Sequence, residues 1–121
     1  MIHHRQLGKW GEDLAVSYLK QKGYAVKVTN FRTSLGEIDI VAYDGDVLCF
    51  VEVKARESMD FGGPLEAISK QKQKKMAQNA YIYMNKNNLN DIKARFDVVT
   101  IQVNQNIPTI ELFKNAFELD S

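Results

Sequence analysis

The chain has 121 residues, 45% hydrophobic and 26% charged, with a formal net charge of +1; it reads as one domain over residues 1–121, with enough apolar residues for a real core. Its single cysteine, Cys49, excludes a disulfide framework and suits a reducing compartment. No apolar run approaches the ~20 residues of a membrane span, and MIHHRQLGKWGED lacks the apolar stretch of a secretory signal, so a cytoplasmic protein without a membrane partner is expected.

Leu7, Trp10, Leu14 and Tyr18 recur at helical spacing, with Ala15 and Leu19 widening the stripe. Gly23, just after Lys20 and Lys22, reads as the stop. A first strand is expected over 24–31 and a second over 36–43. The second places Ile38, Ile40 and Ala42 on one face and Glu37, Asp39, Val41 and Tyr43 on the other. Asp-Gly-Asp at 44–46 reads as a tight hairpin turn. The third strand, 47–54, has Val47, Cys49, Val51 and Val53 on one side and Leu48, Phe50, Glu52 and Lys54 on the other. Two apolar faces mark a central strand covered on both sides. A Gly/Pro-containing loop over 56–64 leads to a helix from about Leu65 to Lys86, and late strands are expected over 94–103 and 109–117. A three-strand meander followed by a helical crossover to a parallel partner predicts an α/β fold, a mixed sheet flanked by helices.

Charge is unevenly placed. Residues 1–32 carry six basic side chains against two carboxylates, residues 33–53 carry five carboxylates and no Lys or Arg, and residues 54–75 return to a basic excess of three. An acidic centre between basic flanks suits a metal site facing a polyanion, although a near-neutral protein also acquires such unevenness by chance.

The question is why a strand with two apolar faces ends in Glu52 and Lys54 side by side. Asp39 lies on the strand before. A turn centred on Gly45 sets position 39 opposite 51, making Asp39 and Glu52 cross-strand or diagonal neighbours, about 5–8 Å apart at Cβ. Register decides whether they share a face, and a bulge at the turn would shift it by one residue. Two adjacent carboxylates repel unless something positive lies between them, and a divalent cation is one answer. Lys54 would then hold a water or offset charge at a phosphate. In a solvated strand, the same Glu-x-Lys is an ordinary ion pair.

The stretch GEIDIVAYDGDVLCFVEVKAR (36–56) resembles the core of the PD-(D/E)XK, or restriction-endonuclease-like, nuclease superfamily. In detail it is similar to the YraN-like group of small bacterial proteins. The likeness extends to GKWGEDLAVSYLKQKGY (8–24), NFR (30–32), Lys72-Gln73 and RFDVV (95–99), covering most of the chain to about residue 103. It implies that Asp39 is the motif aspartate, Glu52 the second metal-binding carboxylate and Lys54 the motif lysine. Glu12 corresponds to a first-helix glutamate that some of these nucleases aim at the site. Ile38 stands where the superfamily's name has proline.

Other residues have two readings. Lys72 falls in the middle of the second helix's apolar face (Leu65, Ile68, Met76, Asn79, Tyr83), where it either snorkels or reaches the site to meet a phosphate. Lys70, Lys74 and Lys75 read as a solvated face, with non-specific phosphate contact second. Arg56, taken as the start of the loop, is a candidate for steering DNA. Asp97 reads as structural, His3 and His4 as a free tail, and Trp10, Tyr18, Tyr81 and Tyr83 as core.

The resulting expectation is a magnesium- or manganese-dependent nuclease acting on DNA. Asp39, Glu52 and the Val53 carbonyl would hold the ion, with Glu12 at a second ion or its waters. One chain of this size covers little of a duplex; a homodimer, or a branched or single-stranded substrate, would answer that. The alternative is a nucleic-acid-binding or adaptor protein that keeps the fold without turnover, and the plainest is a structural domain with a satisfied Glu52–Lys54 pair.

Overall fold

The computed structural model describes residues 4–57 and 68–118. Helix α1 (His4–Gln21) buries Leu7, Gly11, Ala15 and Leu19, a line at i, i+4 spacing. The expected stripe through Trp10 and Leu14 is the flank of that face, packed against the core but partly exposed. The physical reason is close approach: a Cβ added to Gly11 would stand 2.7 Å from the Ala55 Cβ. Small residues therefore sit where the helix meets the sheet. Gly23 (φ 94) ends the helix as expected, its N–H donating to the Lys20 carbonyl (3.0 Å) while the Tyr24 N–H donates to the Leu19 carbonyl (2.9 Å). His4 already belongs to the helix rather than to a tail, and His3 lies outside the described residues.

Among the described residues five strands follow the expected order, β1 (Ala25–Thr33), β2 (Gly36–Asp44), β3 (Val47–Glu57), β4 (Ala94–Asn104) and β5 (Ile107–Phe113), with helix α2 (Lys70–Lys86) between β3 and β4. They form one sheet in the order β1-β2-β3-β4-β5; β3 and β4 pair parallel and every other pair is antiparallel. The fold is thus α/β, a mixed sheet with helices. On one face α1 covers Ile40, Ala42, Cys49, Val51, Val99 and Ile101. On the other, α2 packs Ala80 and Tyr83 over Val41, Leu48 and Phe50. Leu48 through Glu52 are all buried, as a doubly covered central strand requires. Among the described residues no helix is long and apolar enough to cross a membrane.

Several boundaries differ from expectation. Helix α2 starts at Lys70, not Leu65, because the Ser69 hydroxyl accepts the Lys72 N–H (3.1 Å) and caps it there; of the loop expected over 56–64, residues 58–64 lie outside the described residues, as does Leu65. Strand β3 runs through Glu57, so Arg56 is a strand residue opposite Gln102. Strand β5 ends at Phe113 instead of 117: Asp97 accepts the Asn115 N–H (2.9 Å), Asn115 adopts φ 53, and Phe117 stacks on Phe96. Tyr83 is core, but Tyr81 is 66% exposed, on the far side of the same helix.

The face alternation breaks at a bulge between Val26 and Val28, and again beside the site. Val28 and Phe31 both pack toward α2, as do Ile38 and Val41, although strict alternation would separate each pair. The second break lies between the Thr29–Ile40 and Phe31–Ile38 pairs, where Asn30 takes the left-handed conformation (φ 56) level with Asp39.

Gly11→Ala tests the close approach of α1. Alanine gains about 1 kcal/mol of helix propensity, whereas forcing a methyl into a filled contact costs about 1–3 kcal/mol. The expected result in urea unfolding is a net loss of stability together with a displaced Glu12, one residue on. A variant as stable as the wild type would show that helix and strand separate freely.

Candidate active site

The turn between β2 and β3 has two residues, Gly45 (φ 63) and Asp46, closing the Asp44–Val47 pair. Counted from it, Ile40 faces Val51, one step away from the expected opposition of 39 and 51. Asp39 is consequently level with Glu52. Glu52 shares its face with Phe50 and Leu48, which pair with Val41 and Tyr43, so the two carboxylates lie on the side of α2. Asp39 Oδ2 accepts the Val53 N–H (2.8 Å), just past the last β2–β3 pair. The carboxylate takes the place of the next ladder acceptor as the strands part.

Glu52 is 3% exposed yet charged. Burial alone would raise its pKa; hydrogen bonds from Asp39 and Lys72, with the positive charges of Lys72 and Lys54, hold it below the ordinary value. Lys54 Nζ lies 3.5 Å from Glu52 Oε2, and the Lys72 ammonium contacts the same oxygen from α2. Lys72 therefore does not merely snorkel. Asp39 has the opposite balance: burial first, then the hydrogen bond and charge of Glu52, push it up to about 8, against one backbone N–H. The pair thus keeps a proton near neutrality, on Asp39, because both ammonium groups reach Glu52. Lys54 is held below its usual value by desolvation and by Lys72 beside it, with Glu52 opposing.

Glu12 and Glu37 also approach Asp39. One carboxylate oxygen from each of Glu12, Glu37 and Asp39 lies within 4.8 Å of the others. Asn30 Nδ2 donates to Glu12 Oε1 (2.6 Å), and Arg32 Nε lies 3.0 Å from Glu37 Oε2. The NFR stretch therefore has an assignable use: Asn30 holds Glu12, Phe31 packs edge-on to Tyr83, and Arg32 holds Glu37. Burial raises Glu12 despite the Asn30 bond, with Glu37 and Asp13 adding to it.

Two clefts meet at Asp39. One, of about 520 Å³, opens toward α2 and is lined by Glu37, Glu52, Lys72 and Lys75 among others. The other, of about 320 Å³, opens toward α1 between Gly8, Glu12, Val53 and Lys54. Asp39, Glu52, Lys54, Lys72, Glu12 and the Val53 backbone thus converge, while Arg56 lies two residues beyond Lys54 on β3. Glu37 and Asn30 were not singled out in the sequence. Glu37 shares Asp39's face by alternation, a usable signal; Asn30 carries none, because its left-handed backbone is not written in the residue pattern.

A family model described as "Uncharacterised protein family UPF0102" matches residues 11–101. The chain belongs to this family. A UPF0102 protein of Acetivibrio thermocellus is 45% identical over 119 residues, covering 93% of this chain and 92% of that one. A UPF0102 protein of Geobacter metallireducens is 44% identical over 118 residues, covering 98% and 97%; one of Clostridium kluyveri is 42% identical over 118 residues, covering 96% and 97%. The matched span runs from the buried Gly11 through both carboxylate strands and α2 to β4. Every site residue named above falls within it except Gly8.

Asp39→Asn tests the shared proton. The folded protein holds a proton at Asp39 up to about pH 8, whereas an ordinary aspartate releases it near 3.8. Stability from this group is therefore lost progressively as pH rises between those values. Asparagine keeps an acceptor for Val53 N–H and a donor toward Glu52 without the charge. In urea titrations without metal, the variant's profile should be flatter over that window, and the variant more stable than the wild type above it. A variant destabilised at alkaline pH would remove the repulsion argument.

Proposed function

We propose that this UPF0102 protein is a divalent-cation-dependent nuclease of the restriction-endonuclease-like type, hydrolysing phosphodiester bonds in DNA. The observation that carries the reading is Asp39 and Glu52 meeting on one face at the end of β2–β3 pairing, with Lys54 3.5 Å from Glu52 and an open cleft beside them. A surface ion pair needs neither the second carboxylate nor the cleft.

The donor chemistry fits magnesium or manganese: hard carboxylate oxygens from Asp39 and Glu52, joined by the Val53 carbonyl, with Glu12 and Glu37 adjacent. The proton kept between Asp39 and Glu52 is further support, since a site retaining a proton under carboxylate repulsion has room for a stronger positive charge. When bound, such an ion lowers the pKa of water and polarises phosphoryl oxygens.

The chain's own residues supply the rest. Asp39 is fixed by the Val53 N–H, so its other oxygen keeps a constant direction. Lys54 is half-buried, and the low dielectric that makes its charge costly also strengthens its pull on a phosphoryl oxygen or the attacking water. Glu12, held by Asn30, bounds the opposite side. The cleft's Lys72 and Lys75 give a flanking phosphate its counter-charge.

The test is cleavage of single-stranded, duplex, flapped and four-way DNA with manganese, comparing wild type, Glu52→Ala and Lys54→Ala. The wild type should cut at least one member, and Glu52→Ala none. Lys54→Ala should lose cleavage by about a hundredfold or more while still gaining thermal stability from manganese. No cutting by wild type, with no manganese-dependent rise in its melting midpoint, would overturn the reading.

A further inference from the structure

Lys72 and Lys54 compete for one atom. Both ammonium groups approach Glu52 Oε2, a buried oxygen on the most deeply covered strand. A divalent ion ligated through that oxygen meets both, and at least one must withdraw. The two are not equally free. Lys54 is 21% exposed and sits on β3 itself, paired with Thr100 of β4. Lys72 is 40% exposed and reaches over from α2 on a flexible four-carbon stem.

A second observation concerns where Lys72 would go. Helix α2 has no acidic residue in its first turn, and Lys70, Lys72, Lys74 and Lys75 crowd its start. The helix dipole favours carboxylates there and opposes cations. Lys70 and Lys72 stand in the first turn itself, so their charge is offset from outside the helix, that of Lys72 by Glu52. The cleft adjoining that end is lined by Ser69, Gln71, Lys72 and Lys75.

We infer that Lys72 is a built-in counter-ion that competes with a divalent cation for Glu52, and that its displacement turns its ammonium toward a substrate phosphate in the α2 cleft. Cation binding and phosphate binding are then positively linked: the ion that occupies Glu52 frees the lysine that grips the backbone. The phosphate step rests on the nuclease reading, whereas the competition needs only a cation at Glu52.

Manganese titration by calorimetry, at an alkaline pH where the proton between Asp39 and Glu52 has gone, tests the competition. Wild type, Lys72→Met and Lys86→Met are compared; Lys86 is exposed in the last turn of the same helix and controls for net charge. Lys72→Met should bind manganese roughly tenfold tighter, and Lys86→Met close to wild type. Unchanged or weaker binding by Lys72→Met, or equal tightening in both variants, would overturn it. A wild-type measurement covers a poorly folding variant: magnesium titration of protein labelled at lysine Cε should move the Lys72 resonance, and an unmoved resonance overturns the displacement. Manganese bound equally by wild type and Lys72→Met overturns the competition alone and leaves the nuclease reading standing; no binding by any form overturns both. For the phosphate step, Lys72→Met should weaken binding of a phosphorothioate oligonucleotide only when magnesium is present. Weakening to the same degree without it would show a phosphate contact independent of the cation.

Discussion

One carboxylate organises this end of the molecule. Glu52 lies on the strand most fully covered by other elements, and a buried carboxylate persists as an anion only with charge and hydrogen bonds around it. The surroundings supply them from three directions: Lys54 along the same strand, Lys72 from the helix that follows, and Asp39 from the strand before. Glu52 thereby ties β2, β3 and α2 together by electrostatic need as well as by apolar packing. The unevenness of charge along the chain is a consequence. The basic run of 70–75 lies beside the acidic strands because the crossover from β3 to β4 brings α2 over them.

The opposite face of the same sheet, one register step from Glu52, shows what a closed acidic site looks like. Asp97 is fully buried and receives Arg95 Nε (2.8 Å) and an Arg95 terminal nitrogen (2.9 Å), the Tyr24 hydroxyl (2.9 Å) and the Asn115 N–H. Arg95 also reaches Asp44 (2.8 Å), and Lys114 completes Asp44 (3.0 Å). Burial would raise Asp97, yet these donors hold it below the ordinary range. Burial and the neighbouring Asp97 charge push the Cys49 thiol up to about 12, leaving it unreactive. Asp39, with one backbone N–H and a second carboxylate at hand, goes the other way. The contrast lies in donor supply, not in burial. A structural carboxylate is saturated by its neighbours; Asp39 is left with unmet demand, facing open space.

Much of this was legible in the chain, and the failures have a common cause. Element order, the central strand, the Gly23 stop and the mixed topology follow from alternation, helical spacing and turn residues, all local signals. Asp39, Glu52 and Lys54 stood out because charges at the end of a doubly apolar strand contradict the pattern around them. Register did not: the exact size of the Gly45–Asp46 turn shifts it by a residue, and residue types alone do not settle that. The helix α2 start was missed because Ser69 caps it against the apolar run from Leu65. The left-handed Asn30 belongs to the break in β1–β2, which no periodicity encodes. The β5 end was misplaced because Asp97, eighteen residues away, captures Asn115.

That break is also what makes a two-sided site available. In a regular strand, residue 39 would face one helix only, and donors from α1 and α2 would be separated by the sheet. The left-handed turn at Asn30 resets alternation level with Asp39, which then borders both clefts. Glu12 reaches it from α1, and Glu52 with Lys72 lies toward α2. The same residue that creates the irregularity spends its side chain holding Glu12, so backbone and side chain of Asn30 serve one geometry. Gly36 belongs to the same device: at φ 140 it starts β2 where a Cβ would press on the buried Asn79 (3.2 Å), which itself bonds Thr33 across the hairpin. The hairpin is thereby held to α2 through Thr33 and to α1 through Asn30. Motion of either helix would be felt at Asp39, so the carboxylates keep their spacing only while both helices stay docked.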